Sequence, residues 1–492
     1  MTQSHHPSMA PGLDIKAVDE GYVVHQPDLD RVHHLNQTAA LILELCNSRN
    51  PAAELPNLVQ AAYGLPQPPV EQVMACLQAL RDQGLLRPRI VYADAGLASA
   101  QGHHIRHCRL VTAELRRRGI EPEVLARAGV EPALQSELRA LAHFRHDTYW
   151  WNDGDPLCGW LSAFIKSADD TCQDLARIDG LGADDIVYVC HVSPAQLMAV
   201  AKWLTAMPPG RRPHMVLEFG MDPGVDAAAP GSGIPFSVRD PRFDPQAVLY
   251  RLAIKELPPD AADRLLLVTQ ERELSAIYSA LLERPVGLLP VPYPASGPLR
   301  NRAGARPVTI ATLGQQRGTD KGYHLMPEIA RLLLRSGREI RLLVHNSLPE
   351  MMPGPHQELR RLAAASEGRI TIYERIADAT AWPQLLAASD LILCPYEPRA
   401  YRFAFSGVAV EAVANGIPFV GPADTSLERL VVDFGGCGVT FEAWEPGAIA
   451  AATAAAIDGL DELAERAFAA AHRWPQIQGP ERLVDALLAF GG

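Results

Sequence analysis

The stretch "ASDLILCPYEPRAYRFAFSGVAVEAVANGIPFVGP" (Ala388–Pro422) decides the architecture of the C-terminal half of the chain. Its two outer apolar runs, "LILCP" and "PFVGP", have the length of buried strands. Between them, "GVAVEAVANG" has the length of a short apolar helix that a glycine ends. A strand, a helix and a second strand in this order predict a β-α-β unit with parallel strands.

Apolar strands alternate with amphipathic helices along most of the remaining chain. Because such strands are buried on both faces, the alternation predicts parallel sheets covered by helices on each side. The Pro-, Gly- and Arg-rich segment Tyr293–Pro307 indicates a linker between two such series. We therefore predict two Rossmann-like doubly wound α/β domains, whose ligands bind at the carboxyl ends of the strands. The predicted strands are "RIVYAD", "PEVLA", "DIVYVC", "HMVLEF", "RLLLVT", "VGLLPV", "VTIATL", "IRLLVH", "ITIYE", "LILCP" and "PFVGP".

The first 88 residues follow a different pattern. "GYVVHQ" and "RVHHL" predict two short strands joined by the turn "PDLD", and three amphipathic helices follow them. This order is typical of a small winged-helix α+β domain. We therefore expect this domain over residues 1–88, followed by the two α/β domains over residues 89–300 and 301–492.

Charge and cysteine content limit the function. The formal net charge of -12 argues against a nucleic-acid binder, and residues 1–88 carry five Lys/Arg against nine Asp/Glu, where a DNA-reading domain needs a basic face. The eight cysteines form no C-x-x-C pair, so the sequence indicates neither a zinc ribbon nor a disulfide framework. There is no apolar signal region and no run of about 20 apolar residues. We expect a cytoplasmic protein without a transmembrane segment, which leaves room for peripheral membrane contact.

The first candidate site is the loop "LGQQRGTDKGYHL" (Leu313–Leu325), which follows a predicted strand. Gly314 and Gly318 allow tight turns, while Arg317 and Lys321 place two cations at the end of the strand. A leaving diphosphate needs such charge neutralisation. The alternative is a solvated loop with incidental cations. The spacing and the Lys-Ser/Thr pair of a Walker A loop are absent.

The second candidate site is the start of the helix in the opening stretch. Ser406 and Gly407 lie at the N-terminus of this helix, where free N–H groups and the helix dipole favour an anion. Glu411 lies one turn further on, among valines that look buried. A buried carboxylate needs a partner, and the hydroxyls of a ribose would supply two donors. An arginine on a neighbouring element is the alternative partner.

Together the two motifs resemble retaining glycosyltransferases of the GT-B fold, of the family four type. "GQQRGTDKGYHL" is similar to their G-R-x-x-x-x-K-G segment, and Ala388–Pro422 is similar to their E-x7-E signature followed by A-x-G-x-P-V. The resemblance implies a hexosyltransferase that retains the anomeric configuration, with a nucleotide-sugar as co-substrate and neither cofactor nor metal. It implies that Arg317 and Lys321 hold the diphosphate and that Glu411 holds the ribose. Gly314, Ser406 and Gly407 would then contribute contacts to the donor.

The sequence departs from this family at two positions. The first Glu of E-x7-E, which contacts the donor sugar in the family, corresponds to Phe403, and Arg402 or Tyr401 beside it is expected to replace that contact. The family's arginine after the first glycine corresponds to Gln315, so Arg317 is assigned by neighbourhood. The departures put the identity of the sugar, and the activity itself, in question.

The first α/β domain carries the histidines expected on the acceptor side. "SAQGHHIRHC" resembles the glycine-rich loop and first helix of the family, which implies that Gly102, His103 and His104 line the site. "VYVCHVSP" places His191 just after a strand, where the family often has a histidine near the transferred sugar. A surface or capping role is the alternative for each histidine. No H-E-x-x-H or similar spacing indicates a metal.

The N-terminal domain is similar to the PqqD-like family, with its L-N-x-T-A-x-x-I-L-E-L helix at Leu35–Leu45. Such domains commonly bind a peptide, often the leader of a ribosomally made precursor, as an added strand. The resemblance implies that residues 13–87 capture a peptide or protein acceptor along Gly21–His25 or Arg31–Leu35. A structural or dimerising winged helix is the alternative.

These features predict a glycosyltransferase that moves a sugar from a nucleotide-sugar donor to a peptide or protein held by the PqqD-like domain. Two alternatives remain. The acceptor is a saccharide or a lipid-linked molecule in surface polysaccharide synthesis, or the Phe403 departure marks a non-catalytic protein that binds a nucleotide-sugar or a peptide.

Overall fold

The structure is a computed structural model of the chain. It describes residues 5–100, 102–149, 159–227, 236–295, 304, 307–316, 318–378 and 380–491. The chain divides into two units. Unit 1 comprises Met1–Thr269, Ser275–Leu289 and Val484–Gly492, and unit 2 comprises Gln270–Leu274 and Pro290–Leu483. The domain boundaries predicted after residues 88 and 300 stay predictions.

The N-terminal domain has an antiparallel sheet with strand order β1-β2-β3 in the described residues. Asn36 caps the first of its helices by accepting a hydrogen bond from the N–H of Ala39. Apolar side chains of the helices and of β2 form its core, among them Val24, Leu43 and Leu77. The elements are β1 (Asp14–Val18), β2 (Gly21–Gln26), β3 (Arg31–Leu35), α1 (Gln37–Leu45), α2 (Leu55–Tyr63) and α3 (Val70–Asp82).

The strand β1 corrects the sequence prediction of the peptide-binding edge. β2 pairs with β1 on one side and with β3 on the other, so Gly21–His25 is in the centre of the sheet and the prediction of an edge there was wrong. Arg31–Leu35 is an edge strand among the described residues. β1 was missed because its residues "DIKAV" are mostly exposed and carry little apolar signal.

The larger sheet of unit 1 is parallel, and its described strands have the order β12-β11-β8-β7-β4-β5-β6. β4 and β7 are buried along their whole length, as their apolar sequences predict. Its strands are β4 (Ile90–Ala93), β5 (Glu123–Arg127), β6 (Leu141–Phe144), β7 (Ile186–Val189), β8 (His214–Glu218), β11 (Leu265–Thr269) and β12 (Gly287–Leu288). A separate antiparallel ribbon consists of β9 (Val225–Ala227) and β10 (Phe236–Val238). The helices along this part of the chain are α4 (His103–Arg117), α5 (Pro132–Leu138), α6 (Gly159–Leu175), α7 (Pro194–Ala206), α8 (Gln246–Lys255) and α9 (Arg272–Leu282).

The sheet of unit 2 is also parallel, with the order β15-β14-β13-β16-β17-β18 in the part of the chain described. One hydrophobic core joins a face of this sheet to the helices packed on it, with Ile310, Ile329 and Leu391 almost fully buried. The strands are β13 (Val308–Thr312), β14 (Ile340–His345), β15 (Ile370–Tyr373), β16 (Leu391–Leu393), β17 (Phe419–Pro422) and β18 (Gly438–Phe441). The helices along this part of the chain are α10 (Met326–Arg335), α11 (Pro353–Ala365), α12 (Ala381–Ala388), α13 (Gly407–Ala414), α14 (Ser426–Asp433), α15 (Pro446–Asp458), α16 (Leu460–Ile477) and α17 (Pro480–Gly491), and α17 belongs to unit 1 from Val484 onward.

Each parallel sheet has one point where the strand order reverses direction. In unit 1 the reversal lies between β4 and β7, and in unit 2 it lies between β13 and β16. Ligands of doubly wound sheets bind at the carboxyl end of such a reversal, because the two loops diverge there and leave a crevice. His191 follows β7 and Gly314 follows β13, so these two predicted site residues lie at these points, and Asp94, which was not predicted, follows β4.

No helix within the described residues combines the length and apolar character needed to cross a membrane.

Candidate functional site

The site in unit 2 is built around Gly314, just beyond the end of β13. Gly314 has a φ of 101°, a conformation that favours glycine. A Cβ at this position would lie 3.4 Å from Cγ2 of Val408 in α13 and 3.6 Å from Nζ of Lys321. The backbone of Gly314, the first turn of α13 and the ammonium of Lys321 therefore meet at the reversal of the sheet. This is the grouping that the two sequence motifs predicted.

The loop that carries Lys321 is fixed against the end of β16. A short 3-10 helix covers Thr319–Lys321 and ends at Gly322, which has a φ of 68°. A Cβ on Gly322 would lie 1.8 Å from the carbonyl oxygen of Pro395, so only glycine fits there. The N–H of Glu397 also donates a hydrogen bond of 2.7 Å to the carbonyl of Asp320. Lys321 thus projects from a well-anchored loop. Arg317 lies outside the described residues.

Ser406 is the N-cap of α13. Its Oγ accepts a hydrogen bond of 3.3 Å from the N–H of Ala409, and its side chain is buried. The hydroxyl therefore stabilises the start of the helix. The predicted contact of Ser406 with the nucleotide-sugar stays a prediction. Gly407 follows as the first helical residue, and a Cβ there would lie 3.4 Å from the hydroxyl of Tyr293. The N–H groups of a first turn have no intrahelical acceptors, and the helix dipole adds partial positive charge there.

Glu411 lies on the buried side of α13 and is 1% exposed. Its carboxylate accepts a hydrogen bond from the indole N–H of Trp382 in α12. The partner in the structure is therefore a tryptophan, where the sequence left a ribose or an arginine as alternatives. Trp382 was missed because nothing in the sequence of α12 relates it to an acid 29 residues away.

His345 is a second residue that the sequence prediction missed. It ends β14, and its Nδ1 accepts a hydrogen bond of 3.3 Å from the N–H of Gly314. Its Nε2 donates to the carbonyl of Arg375 at 3.0 Å. Burial lowers the pKa of His345, and the nearby Lys321 ammonium lowers it further against the opposing hydrogen bond to Arg375. The ring is therefore a neutral support for Gly314. Its position at the end of a predicted strand was the available signal.

Phe403 and Arg402 lie at the position where the family has its first acid. Phe403 is buried at 3% exposure, and the guanidinium of Arg402 lies 5.3 Å from the centre of its ring. Arg402 also approaches Glu273 at 3.9 Å, and its carbonyl accepts a hydrogen bond of 2.5 Å from Arg429. The aromatic ring therefore belongs to the packed interior. The expected contact of Arg402 with the donor sugar stays a prediction.

The site in unit 1 is a cluster of histidines at the reversal between β4 and β7. Asp94 is fully buried, and Nδ1 of His104 lies 2.9 and 3.0 Å from its two carboxylate oxygens. Burial opposes the charged form of His104, but attraction to Asp94 outweighs it and raises the pKa of the imidazole. The Nε2 of the same ring lies 3.4 Å from the hydroxyl of Tyr149.

His103 and His191 complete this group, which we call the histidine cluster (His103, His104 and His191). The ring centres of His103 and His104 are 4.2 Å apart, and that of His191 lies 4.8 and 4.9 Å from them. Gly102 precedes them as the N-cap of α4, with a φ of 94° that favours glycine. The structure thus brings together Gly102, His103 and His104, which were predicted for the acceptor side, and His191, the catalytic candidate predicted near the transferred sugar.

A second polar layer lies beneath the histidine cluster. His107 is held between two tyrosine hydroxyls, that of Tyr92 at 2.9 Å and that of Tyr188 at 3.3 Å. Tyr188 also donates to the buried carboxyl of Glu218. Burial lowers the pKa of His107 to about 4 and raises the pKa of Glu218 to about 7. His107 is therefore neutral near pH 7, whereas the Glu218 carboxyl is mostly neutral only below pH 7.

Two family models match the sequence. Residues 21–86 match "Coenzyme PQQ synthesis protein D (PqqD)", and residues 307–458 match "Glycosyl transferases group 1". The chain joins a PqqD domain to a glycosyltransferase group 1 domain. Gly314, Lys321 and Glu411 all lie within the glycosyltransferase domain, whereas the histidine cluster lies between the two matched segments.

Solved structures of GT-B glycosyltransferases share the fold, and each similarity covers 82% of this chain. Sucrose-phosphate synthase from Thermosynechococcus elongatus matches with a TM-score of 0.55 at 12% identity over 97% of its length. A glycosyltransferase from Rickettsia africae matches with a TM-score of 0.54 at 14% identity over 98%. Anabaena HepE in complex with UDP-glucose matches with a TM-score of 0.52 at 16% identity over 98%. The predicted GT-B fold class is confirmed. No curated protein matches the sequence.

Proposed function

We propose that this PqqD–glycosyltransferase chain transfers a sugar from a nucleotide diphosphate donor to a peptide or protein. The observation that carries the proposal is the meeting of Lys321, Gly314 and the N-terminus of α13 at the reversal of the sheet. A diphosphate is bound by a glycine backbone that it can approach closely, by a cation and by the positive end of a helix, and all three are present here. They lie within the segment that matches glycosyltransferases.

The chemistry follows from the charge that develops on the donor. When the bond between the anomeric carbon and the diphosphate oxygen breaks, negative charge accumulates on the leaving group. Lys321 and the first-turn N–H groups of α13 stabilise that charge without having to reorganise. Arg317 is proposed to add a second cation. No metal is needed at the diphosphate in this proposal, and the anomeric configuration is retained.

Glu411 and Trp382 orient the nucleoside end of the donor in this proposal. The indole N–H holds the buried carboxylate in place, and the carboxylate accepts hydrogen bonds from the ribose hydroxyls. A carboxylate has about four acceptor sites, so a bond to the indole is compatible with a bound diol. The HepE structures contain UDP, glucose or UDP-glucose, which makes uridine diphosphate sugars the first donors to test.

The acceptor peptide is proposed to add to the edge strand β3 of the PqqD domain. An edge strand offers backbone N–H and C=O groups to an incoming strand. Val32 on β3 is 57% exposed, and on α3 Val70 and Met74 are 54% and 45% exposed. In this proposal these exposed apolar side chains contact the bound peptide. Holding the acceptor on the same chain raises its effective concentration for transfer.

The test is a transfer reaction analysed by mass spectrometry. The full chain is incubated with short peptides encoded beside its gene and with a panel of nucleotide sugars. The proposal expects a mass increase of one sugar on a peptide, and this increase should be lost when Val32 is replaced by Glu. Donor hydrolysis without any glycosylated peptide would favour a saccharide or lipid-linked acceptor. Donor binding with neither hydrolysis nor transfer would favour the binding-only alternative, which the buried Phe403 supports.

A further inference from the structure

The histidine cluster has the composition of a transition-metal site. The ring nitrogens of His103, His104 and His191 lie within 4.8 Å of one another. Zinc bonds to imidazole are about 2.0–2.1 Å long, so a bound ion needs the three nitrogens roughly 3.4 Å apart. Zinc binding therefore requires side-chain rotations that bring the nitrogens to that separation. His103 is exposed and His191 is partly exposed, so an ion can reach the cluster.

Asp94 orients the ring of His104 for metal binding. The Nδ1–H of His104 donates to the buried carboxylate of Asp94, which fixes the ring orientation and leaves Nε2 as the ligating atom. Metal-binding histidines in proteins commonly donate their other ring N–H to a carboxylate in this way. Nε2 lies on the side of Tyr149, whose hydroxyl is 3.4 Å away.

Glycines pack closely against the rings of His104 and His191. A Cβ on Gly96 would lie 2.1 Å from Cε1 of His104, and a Cβ on Gly220 would lie 2.8 Å from Nδ1 of His191. His191 itself has a φ of 54°, in the left-handed region that is uncommon for residues with a side chain. Such conformations persist where the surrounding structure holds them, and they concentrate at functional sites. Two glycines and a strained histidine thus place the imidazoles side by side.

The polar layer beneath the cluster is a poorer candidate. His107, Cys190 and Glu218 also come within 4.8 Å of one another, but all three are buried. Both nitrogens of His107 already lie at hydrogen-bond distance from tyrosine hydroxyls, and Glu218 accepts from Tyr188. A metal would have to displace these bonds without any route from solvent. The layer is therefore a support for the cluster above it.

We propose that His103, His104 and His191 bind one Zn²⁺ ion, with the fourth position open to solvent. Three imidazoles with an open position are typical of catalytic zinc, whereas structural zinc has four protein ligands. The sequence gave no metal-binding pattern because the ligands come from two segments about 90 residues apart, so their spacing carries no signal. The site belongs to unit 1 and does not depend on the proposed donor chemistry in unit 2.

The experiment titrates the metal-free full-length chain with Zn²⁺ alone, in competition with a chromophoric chelator. The proposal expects one tight equivalent of Zn²⁺, and Co²⁺ in its place should show the absorption of a tetrahedral or five-coordinate site without thiolate ligands. Asp94→Asn should weaken binding about 10- to 100-fold, as loss of a carboxylate behind a ligating histidine does. His103→Ala and His191→Asn should weaken it further. Asparagine is chosen because it tolerates positive φ.

The matched control is the double variant His33→Ala, His34→Ala, which removes another pair of adjacent histidines. It should leave the tight equivalent unchanged. His103 is exposed, so its replacement tests the site without disturbing the interior. Absence of a tight equivalent, or an equivalent that survives His103→Ala and His191→Asn, would overturn the proposal. Because the readout is metal binding, failure here is distinguishable from failure of sugar transfer.

Discussion

The indole N–H of Trp382 donates a hydrogen bond to the carboxylate of Glu411, which is 1% exposed. This contact joins α12 to α13 at the point where a nucleotide is proposed to bind. We predict that Trp382→Phe destabilises the chain by about 1–3 kcal/mol, because it removes a donor from a buried acceptor. UDP affinity should fall as well. Urea unfolding and calorimetric titration with UDP check the two effects.

The control for this prediction is Trp382→Phe made together with Glu411→Gln. A neutral amide is less costly to bury than a carboxylate that has lost a donor, so the double variant should be more stable than Trp382→Phe alone. Equal stability of the two variants would mean that the contact with Trp382 contributes little to holding Glu411.

A second prediction concerns the backbone at Gly314. Gly314→Ala should cost about 1 kcal/mol or more, because alanine is strained at a φ of 101°. Its methyl group would also reach Val408 and Lys321, so UDP binding should weaken. Gly337→Ala is the control, since Gly337 has a φ of 75° with nothing within 4 Å of an added Cβ. It should lose stability and keep UDP affinity, and a parallel loss of UDP affinity in both variants would count against a local role of Gly314.

The pH dependence of donor binding should follow His345. Because burial and Lys321 lower its pKa, the folded chain keeps the ring neutral where the unfolded chain, with an ordinary value of 6.5, takes up a proton. Its stabilising contribution is therefore complete above pH 6.5 and is lost as the pH falls. Protonation would also remove the acceptor of the Gly314 N–H. UDP affinity should be flat at and above pH 6.5 and should decline only at lower pH, where the ring of the folded chain takes up a proton.

His345→Gln provides the comparison, because its amide can accept from Gly314 and donate to Arg375 without titrating. The variant should bind UDP with a weaker acid decline than the natural chain. An identical decline in both proteins would assign the pH dependence to another group.

Glu218 gives a prediction in which stability changes with pH in the opposite direction, falling as the pH rises. Its pKa in the folded chain is about 7, against an ordinary value of 4.5, because burial favours the neutral carboxyl. This difference corresponds to roughly 3 kcal/mol. The associated stability is present below pH 4.5 and is lost as the pH rises to 7, since the unfolded chain then releases the proton first. Glu218→Gln should therefore gain stability relative to the natural chain between about pH 5 and 7.5 in urea unfolding, and a constant difference would contradict the assignment.

The two edges of the N-terminal sheet offer a matched test of peptide binding. Val32 lies on β3 and Val18 lies on β1, with 57% and 48% exposure. Val32→Glu should abolish binding of a labelled peptide encoded beside the gene, whereas Val18→Glu should preserve it. Fluorescence anisotropy with the full-length chain measures both. Loss of binding in the Val18 variant alone would move the docking edge to β1.

The sequence was informative wherever local patterns repeat. Apolar strands such as β7 and β13 were recognisable because both of their faces are buried, and their carboxyl ends then located His191 and Gly314. The exposed strand β1 and the partly exposed β18 lack that pattern and were not predicted. Contacts such as that between Trp382 and Glu411 depend on how helices from distant segments pack, which periodicity does not specify.

The histidine cluster shows the same limit in another form. The sequence located His103, His104 and His191 individually, because each follows a predicted strand or begins a helix. Their ring nitrogens lie close enough for one metal ion because β4 and β7 are neighbours in the sheet. Strand order is a tertiary property, so the spacing of these histidines in the sequence does not predict that they are close together.

The central claim is that Lys321 neutralises the diphosphate of a bound nucleotide. The most direct measurement is the calorimetric affinity of the full chain for UDP with Lys321→Ala, compared with Arg335→Ala, which removes an exposed cation of the same unit. A charge-assisted contact is worth about 1.5–3 kcal/mol, so Lys321→Ala should weaken UDP roughly 10- to 100-fold. Arg335→Ala should leave the affinity unchanged. Equal affinities for the natural chain and Lys321→Ala would contradict the proposed donor site.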